Sequence, residues 1–324
     1  MRLVRPSYEI LTQGPGEQGI YNMIETCGKV SYKSEPKGGD VARKFVEART
    51  KERHGAVLEF GTVYLTVPYG IDEHEIVRFY ETNPYSRVNS WDDGQEINYY
   101  ITTNYRVLVE NNHLDDLKYQ CEPTEYHEKR YAVKFVTDIG LGRDYLRHRV
   151  MSLIQESTRY VNYGKEKNGG QCTFVIPPWI PKETLAEGEN ISWWDGDWVN
   201  TKEMKIVKHG VYDAVDTWLF ALKDAEKAYL SLLSMRWQAQ QARGVLPLST
   251  KTEFVLCGFK DAWIHFFRLR SDIAATGLAH PMSIELANQV RDEFIKNGYV
   301  TEEDLQKDVF CAFDVGIADK PLRP

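Results

Sequence analysis

Apolar residues recur at helical spacing early in the chain, over Glu17 to Tyr32 and again over Asp40 to Arg53. Asp40 offers an N-cap for the second stretch, and His54-Gly55 a C-terminal stop. The period then drops to two. Thr62 to Val67 alternates and is rich in β-branched and aromatic side chains, which predicts a strand. Asp72 to Tyr80 predicts a short helix that stops before Asn83-Pro84, because the residue ahead of a proline is pushed out of helical geometry. Tyr99 to Val109 and Tyr131 to Thr137 predict two more strands. Asp138 is placed to cap a helix running through Arg147, with an extended piece following over Ser157 to Tyr163. The last third carries a helical pattern throughout. Val211 to Arg243 puts Val215, Leu219, Leu222, Ala225 and Tyr229 on one stripe, and Thr252 to Ala275 and Met282 to Lys296 predict two further helices. Mixed elements with helices massed late predict an α+β fold rather than an alternating parallel sheet.

Between Gly164 and Thr201 neither period holds: the stretch contains Gly169-Gly170, Pro177-Pro178, Pro181 and the run Trp193-Trp194-Asp195-Gly196-Asp197-Trp198. Three tryptophans in six residues favour an ordered insertion over a disordered linker. The 324 residues carry 40 Lys+Arg against 47 Asp+Glu, a net charge of −7, and 42% are hydrophobic. This is the profile of a globular protein, and the acidic balance argues against a surface devoted to nucleic acid. Neither an apolar run long enough to span a membrane nor an apolar stretch behind Arg2 and Arg5 is present in the sequence, so a cytoplasmic enzyme is expected. Cys27, Cys121, Cys172, Cys257 and Cys311 are far apart and never form a C-x-x-C pair. Together with the absence of a clustered histidine motif, this leads us to expect no disulfide framework and no metal.

Arg143, Arg147, His148, Arg149 and Arg159 place four arginines and a histidine within seventeen residues. Guanidinium forks match phosphate or carboxylate oxygens two at a time, so the cluster is a candidate anion site. On charge alone the same residues also make a solvated basic face paired with Asp and Glu. With Arg143 one turn before Arg147, both are expected on one helix face. A second basic group comprises Arg243, ahead of Gly244-Val245-Leu246-Pro247, with His265, Arg268 and Arg270. Arg243 also has a plain reading as a helix-terminal cation. His54 and Glu59 bracket Gly55-Ala56-Val57-Leu58 and either orient a ligand or merely end and cap local elements. Gly140-Leu141-Gly142 opens a helix after a strand, but Tyr145 stands where a dinucleotide fingerprint needs its third glycine.

Arg147-His148-Arg149, seven residues and then Ser157 reproduce the R-H-R-x7-S signature of the flavin-dependent thymidylate synthases. Ordinary residue frequencies yield this in a chain of such length roughly once in a thousand sequences. Other blocks follow in family order. His54-x-x-x-x-Glu59 resembles the family's His…Glu element, and Gln155-Glu156-Ser157-Thr158-Arg159-Tyr160 its deoxyuridylate segment. Ala242-Arg243-Gly244-Val245-Leu246-Pro247 resembles the A-R-x-V-L-P block, and His265-Phe266-Phe267-Arg268-Leu269-Arg270 the [HN]-F-x-x-L-R block.

The resemblance implies a thymidylate synthase-complementing-protein-like fold, a β-sheet flanked by long helices, as one domain over 1–324. Excess over compact family members falls near 80–112, near 165–205 and in a C-terminal extension. It further implies reductive methylation of dUMP to dTMP, with 5,10-methylenetetrahydrofolate as one-carbon donor and NADPH as reductant through FAD. A homotetramer with active sites shared between subunits is implied, with neither nucleic acid nor membrane as partner. In that scheme Arg270 is the catalytic residue. His54, Ala56, Glu59, Arg147, His148, Arg149, Gln155 and His265 contact FAD. Asp144, Arg147, Gln155, Glu156, Ser157, Thr158, Arg159, Arg243 and Arg270 hold dUMP. Three places depart from the family pattern. Gln155-Glu156 replaces Glu-Gln or Glu-Leu, Asp144 stands where a Gln is common, and Phe259 and Asp261 occupy flavin-contacting positions. No cysteine stands in the Pro-Cys context of the cysteine-dependent thymidylate synthases. The alternatives are a non-catalytic nucleotide- or RNA-binding module, marked by steep salt dependence without turnover, and a relative that kept the flavin but changed substrate.

Overall fold

The computed structural model describes residues 1–70, 73–92, 97–185, 191–194, 197–200, 205–207, 213–274 and 277–306. The chain divides into two compact units, Met1–Gly258 and Phe259–Pro324.

The first unit opens with strands β1 (Arg2–Val4) and β2 (Ser7–Leu11), which the pattern analysis did not predict because three and five residues are too few to establish a period. Helix α1 (Gly16–Val30) buries Ile20, Ile24 and Cys27. Helix α2 (Gly39–Lys51) is capped not by Asp40 but from α1: the Glu25 carboxylate accepts from the Lys37 and Gly38 amides at 3.1 and 2.8 Å. Gly38 reaches the left-handed φ of +69° that this turn needs. After α2 the chain restarts in the one-turn helix α3 (Gly55–Leu58). It continues through β3 (Thr62–Pro68), α4 (Glu73–Thr82), β4 (Arg87–Asp92), β5 (Ile97–Asn104) and α5 (Tyr105–Glu110). The strand expected to reach Val109 ends at Asn104, whose side chain accepts from the Val107 amide at 3.2 Å and caps α5.

Strand β6 (Arg130–Asp138) leads into α6 (Ile139–Tyr145), capped as expected by Asp138, which accepts from the Leu141 amide at 2.7 Å. Then come β7 (Ser152–Gln155), β8 (Thr173–Val175), and the antiparallel strands β9 (Ile191–Trp194), β10 (Asp197–Asn200) and β11 (Lys205–Val207). The expected insertion therefore carries strands, although parts of it lie outside the described residues. The long helix expected over 211–243 is interrupted. Helix α7 (Ala214–Ser234) ends ahead of Arg236, which has a φ of +70°, and a short α8 (Ala239–Ala242) follows. Residues 211–212 lie outside the described residues.

The largest correction is at 252–275. Its first part is a strand, β12 (Lys251–Phe259), and Cys257 therefore lies in a sheet and not in a helix. Every β12 residue except Glu253 is buried. A strand covered on both faces loses its alternation, so its apolar run reads like a buried helix. The main sheet runs β2-β6-β12-β7, a second runs β3-β5-β4, and β1 pairs β8 in parallel. Around the second sheet Ile101 and Leu108 share one apolar cluster with Ile20, Ile24 and Tyr80, so the 80–112 region is built into the core.

The second unit contains α9 (Lys260–Arg270), α10 (Pro281–Lys296) and α11 (Glu302–Gln306). Trp263 is its packing centre, with ring centroids 5.3 Å from Phe266 and 5.0 Å from Phe294. Among the described residues no helix is long and apolar enough to cross a membrane, and no three His, Cys, Asp or Glu gather as a metal would require.

Candidate functional site

Helix α6 ends at Tyr145, two residues earlier than the pattern predicts. Leu146 donates its amide to the Gly142 carbonyl at 3.0 Å, and two tight turns follow, His148 N–H to Tyr145 O and Met151 N–H to His148 O. Burial of His148 and Met151, 5% and 4% exposed, drives the triplet into an out-in-out order. Arg147 and Arg149 therefore point to solvent, whereas His148 faces inward and is not open to a ligand. Arg147 lies outside the helix and does not share a helical face with Arg143. Its guanidinium is 74% exposed and meets Asp144 only at 3.6 Å.

The segment after β7 is a turn and not the extended piece expected over 157–163. The Tyr160 and Val161 amides both donate to the Ser157 carbonyl, at 3.1 and 2.9 Å. Ser157 Oγ accepts from the Arg159 amide at 3.3 Å, and the Arg159 guanidinium lies 5.6 Å over the Tyr160 ring. Arg243, directly after α8, donates from Nη1 to Thr158 Oγ1 at 3.1 Å. Two motifs 85 residues apart thus meet side chain to side chain. Arg147, Arg149, Arg159 and Arg243 are all exposed. Exposed guanidinium groups of this kind can donate to phosphate oxygens, and Arg147 has Asp144 as a carboxylate neighbour.

Gln155 and Glu156 behave differently from one another and from expectation. Gln155 Nε2 donates to Thr252 Oγ1 on β12 at 3.0 Å. Glu156 is turned into the protein at 4% exposure and is fully engaged: Oε1 accepts from the Tyr163 hydroxyl at 2.9 Å and Oε2 from Lys251 Nζ at 2.9 Å. It therefore does not offer its carboxylate to dUMP. Lys251 also pairs with Glu253, which binds Lys134 at 3.0 Å. Burial alone would raise the Glu253 carboxyl, but the two ammonium groups outweigh it and hold the pKa below the ordinary value. A helix starting at Thr252, as expected, would have left Lys251 outside the element and apart from Glu253. Two residues apart on a strand, they share one face.

His54 occupies the N-cap position of α3 without a side-chain cap bond. It is 59% exposed, with Nδ1 3.8 Å from Glu52. Ala56 is exposed on the same short helix. Glu59 caps nothing. Its Oε1 accepts from Arg106 Nη1 at 2.5 Å, while Arg106 Nε donates to Glu110 at 2.8 Å. Beside this pair lies a cavity of about 300 Å³ lined by Glu59, Asn83, Tyr85, Asn104, Arg106 and Glu110.

In the second unit, His265 is pushed below its ordinary pKa, first by burial and then by the neighbouring Arg268 and Arg270, so it is neutral at pH 7. Arg268 is spent on structure, donating to the Leu305 carbonyl at 3.1 and 2.9 Å. The Arg270 carbonyl accepts from Ser283 Oγ at 3.0 Å, and Asp261 Oδ1 accepts from the Ala262 amide at 2.8 Å. Cys27, Cys172 and Cys257 are buried and Cys121 is half-buried. Burial raises all four thiols, Cys172 to about 12, which keeps them protonated and poorly nucleophilic. Cys311 lies outside the described residues.

The family model described as thymidylate synthase complementing protein matches residues 120–294, more than half of the chain. The match takes in Arg147–Arg159, Arg243 and His265–Arg270, whereas His54–Glu59 lies ahead of it. A flavin-dependent thymidylate synthase of Thermosipho melanesiensis is 25% identical over 171 residues, covering 53% of this chain and 66% of that protein. Its counterpart from Thermosipho africanus is 23% identical over 155 residues, covering 48% and 60%. The matched part thus spans 66% and 60% of the lengths of these two relatives. A solved structure of the UMP/dUMP methylase PolB from Streptomyces cacaoi bound with 5-Br dUMP is 17% identical, covers 91% of this chain and 93% of its own, and has a TM-score of 0.41.

Proposed function

Because the chain belongs to the thymidylate synthase complementing protein family, we propose that it is a flavin-dependent thymidylate synthase, a methyltransferase that converts dUMP to dTMP. In this reading 5,10-methylenetetrahydrofolate donates the one-carbon unit and NADPH is the reductant through FAD. The observation that supports it is the hydrogen bond between Arg243 and Thr158, which joins two family motifs on a turn that also carries the exposed Arg159, while Arg147 and Arg149 of the third motif are exposed as well. Such a set suits a nucleotide monophosphate and a dinucleotide diphosphate, and in an otherwise acidic chain it concentrates positive charge where an anion is to bind.

Arg159 and Arg243 neutralise the dUMP phosphate, with Ser157 and Thr158 holding the turn between them. Arg147, Arg149 and His54 hold FAD, which when bound supplies the hydride chemistry, and the neutral His265 takes the flavin role that the family resemblance gives it. Arg270 takes the role that the family resemblance gives it. Facing the pyrimidine, its fixed positive charge stabilises the N3-deprotonated, enolate-like form of uracil and so raises electron density at C5. It cannot be the base, since a guanidinium stays protonated at neutral pH. The raised cysteine pKa values support a route without a thiolate nucleophile. His148 and Glu156 act from inside the fold, and Asp144 tempers Arg147. We further propose a homotetramer with shared active sites, a single functional domain over 1–324 and a cytoplasmic location.

Purified full-length protein should be yellow, should oxidise NADPH in a way that depends on dUMP, and should form dTMP when methylenetetrahydrofolate is also supplied. Arg270→Ala should fold and form no dTMP. Colourless protein that gains no flavin on reconstitution would overturn the proposal. Equal turnover on another pyrimidine nucleotide would overturn the substrate.

A further inference from the structure

The turn that carries Ser157, Thr158 and Arg159 has no regular secondary structure of its own, yet a binding site built on it needs a fixed geometry. What precedes it is a buried pair of opposite charges. Glu156 Oε2 and Lys251 Nζ are 2.9 Å apart, with side-chain exposures of 1% and 8%. The remaining Glu156 oxygen accepts from the Tyr163 hydroxyl at 2.9 Å, and the Glu156 amide donates to the Glu253 carbonyl at 2.7 Å. The turn is therefore gripped at both ends, by Glu156 before it and Tyr163 after it, and both grips close on the same carboxylate. Tyr163 also reaches the other motif's support, donating its amide to Tyr229 Oη on α7 at 3.4 Å. Helix α7 leads to α8 and Arg243.

A buried ion pair is a poor stabiliser compared with apolar residues of the same volume, because desolvating two charges cancels most of their attraction. What it adds is a directional constraint on whatever it is attached to. We propose that Glu156 is a positioning residue, whose buried pair with Lys251, closed by Tyr163, holds the Ser157–Arg159 turn where Thr158 meets Arg243 and thereby sets affinity for the dUMP phosphate. This rests on the functional reading above. It gives Glu156 a part that acts through its neighbours, in place of the direct substrate contact expected from the motif.

The test uses full-length, flavin-loaded protein with Glu156→Gln, Lys251→Met, Lys251→Arg and Tyr163→Phe. Glu156→Gln and Lys251→Met should raise KM for dUMP by about tenfold or more, with kcat at saturation within about twofold of the parent. Lys251→Arg should recover most of that loss, because it keeps the charge within reach of Glu156. Hydrogen exchange at the Ser157, Tyr160 and Val161 amides should accelerate in the two damaging variants while β12 stays protected. A folded Glu156→Gln with parental KM and parental exchange overturns the proposal, as does a loss confined to kcat. If neither neutralised variant folds, Tyr163→Phe decides. It removes one grip without stranding a charge, and unchanged KM together with unchanged exchange at these amides would overturn the proposal. Parent protein without dUMP-dependent NADPH oxidation refutes the functional reading, and the exchange data then judge the positioning role alone.

Discussion

Replacing Arg243 by alanine should weaken dUMP while leaving the fold intact, and the structure sets the size of each effect. Arg243 is exposed, and its guanidinium makes one hydrogen bond with a side chain, to Thr158 Oγ1 at 3.1 Å. An exposed side chain of this kind changes stability by no more than about 0.5 kcal/mol. The proposed bond to the dUMP phosphate would be worth about 1.5–3 kcal/mol. At tenfold per about 1.4 kcal/mol, KM for dUMP should rise roughly 10- to 150-fold. Arg243→Lys, which keeps the charge but loses the two-toothed fork, should fall between the parent and Arg243→Ala. Thr158→Ala removes only the partner that orients the guanidinium, so a smaller loss of about 0.5–1.5 kcal/mol is expected. Because the two residues touch, the double variant should lose less than the sum of the singles. The assay is initial-rate NADPH oxidation titrated with dUMP, with a thermal melt as control. An Arg243→Ala enzyme that folds and saturates at the parental dUMP concentration would refute the placement of Arg243 at the phosphate.

Cys121→Ala should retain parental turnover, since burial holds this half-buried thiol protonated. Loss of dTMP formation in a folded variant would restore a thiolate route. Trp263→Ala removes the ring packed between Phe266, Phe267 and Phe294 and should destabilise the second unit by about 3–5 kcal/mol, read as a lowered melting transition. A melt within one degree or so of the parent would contradict that packing. Asp304 should titrate near 2: burial acts to raise it, but the Lys260 ammonium at 2.6 Å and hydrogen bonds from Thr301 outweigh this. A carboxyl depressed in the fold adds stability above its unfolded pKa near 3.8 and loses it as pH falls towards 2. Carboxyl NMR chemical shifts followed from pH 5 to pH 1.5 would show this, and a midpoint near 4 would exclude the ion pair.

The chain's own periodicity determined those elements whose two faces see different surroundings. Helices α1, α4 and α10 and strands β3 and β6 are half covered, so their sequences alternate apolar with polar residues and their positions are legible within a few residues. The cap at Asp138 was equally legible, because capping is a contact three residues long. The R-H-R-x7-S motif and its companion blocks supplied the residue types of the proposed site, since the proposed chemistry demands those side chains whatever surrounds them. Tertiary structure alone decided the rest. β12 is buried on both faces and shows no alternation, and α2 borrows its cap from Glu25 of another helix. Glu156, which the motif offers to the substrate, is claimed by Lys251 nearly a hundred residues later. His148 turns inward between two arginines because tight turns, not a helix, carry it. A local pattern records only whether a residue prefers water. Which partner meets it there depends on contacts distant in sequence, and for Glu156 and Arg243 those contacts set what each side chain is free to do.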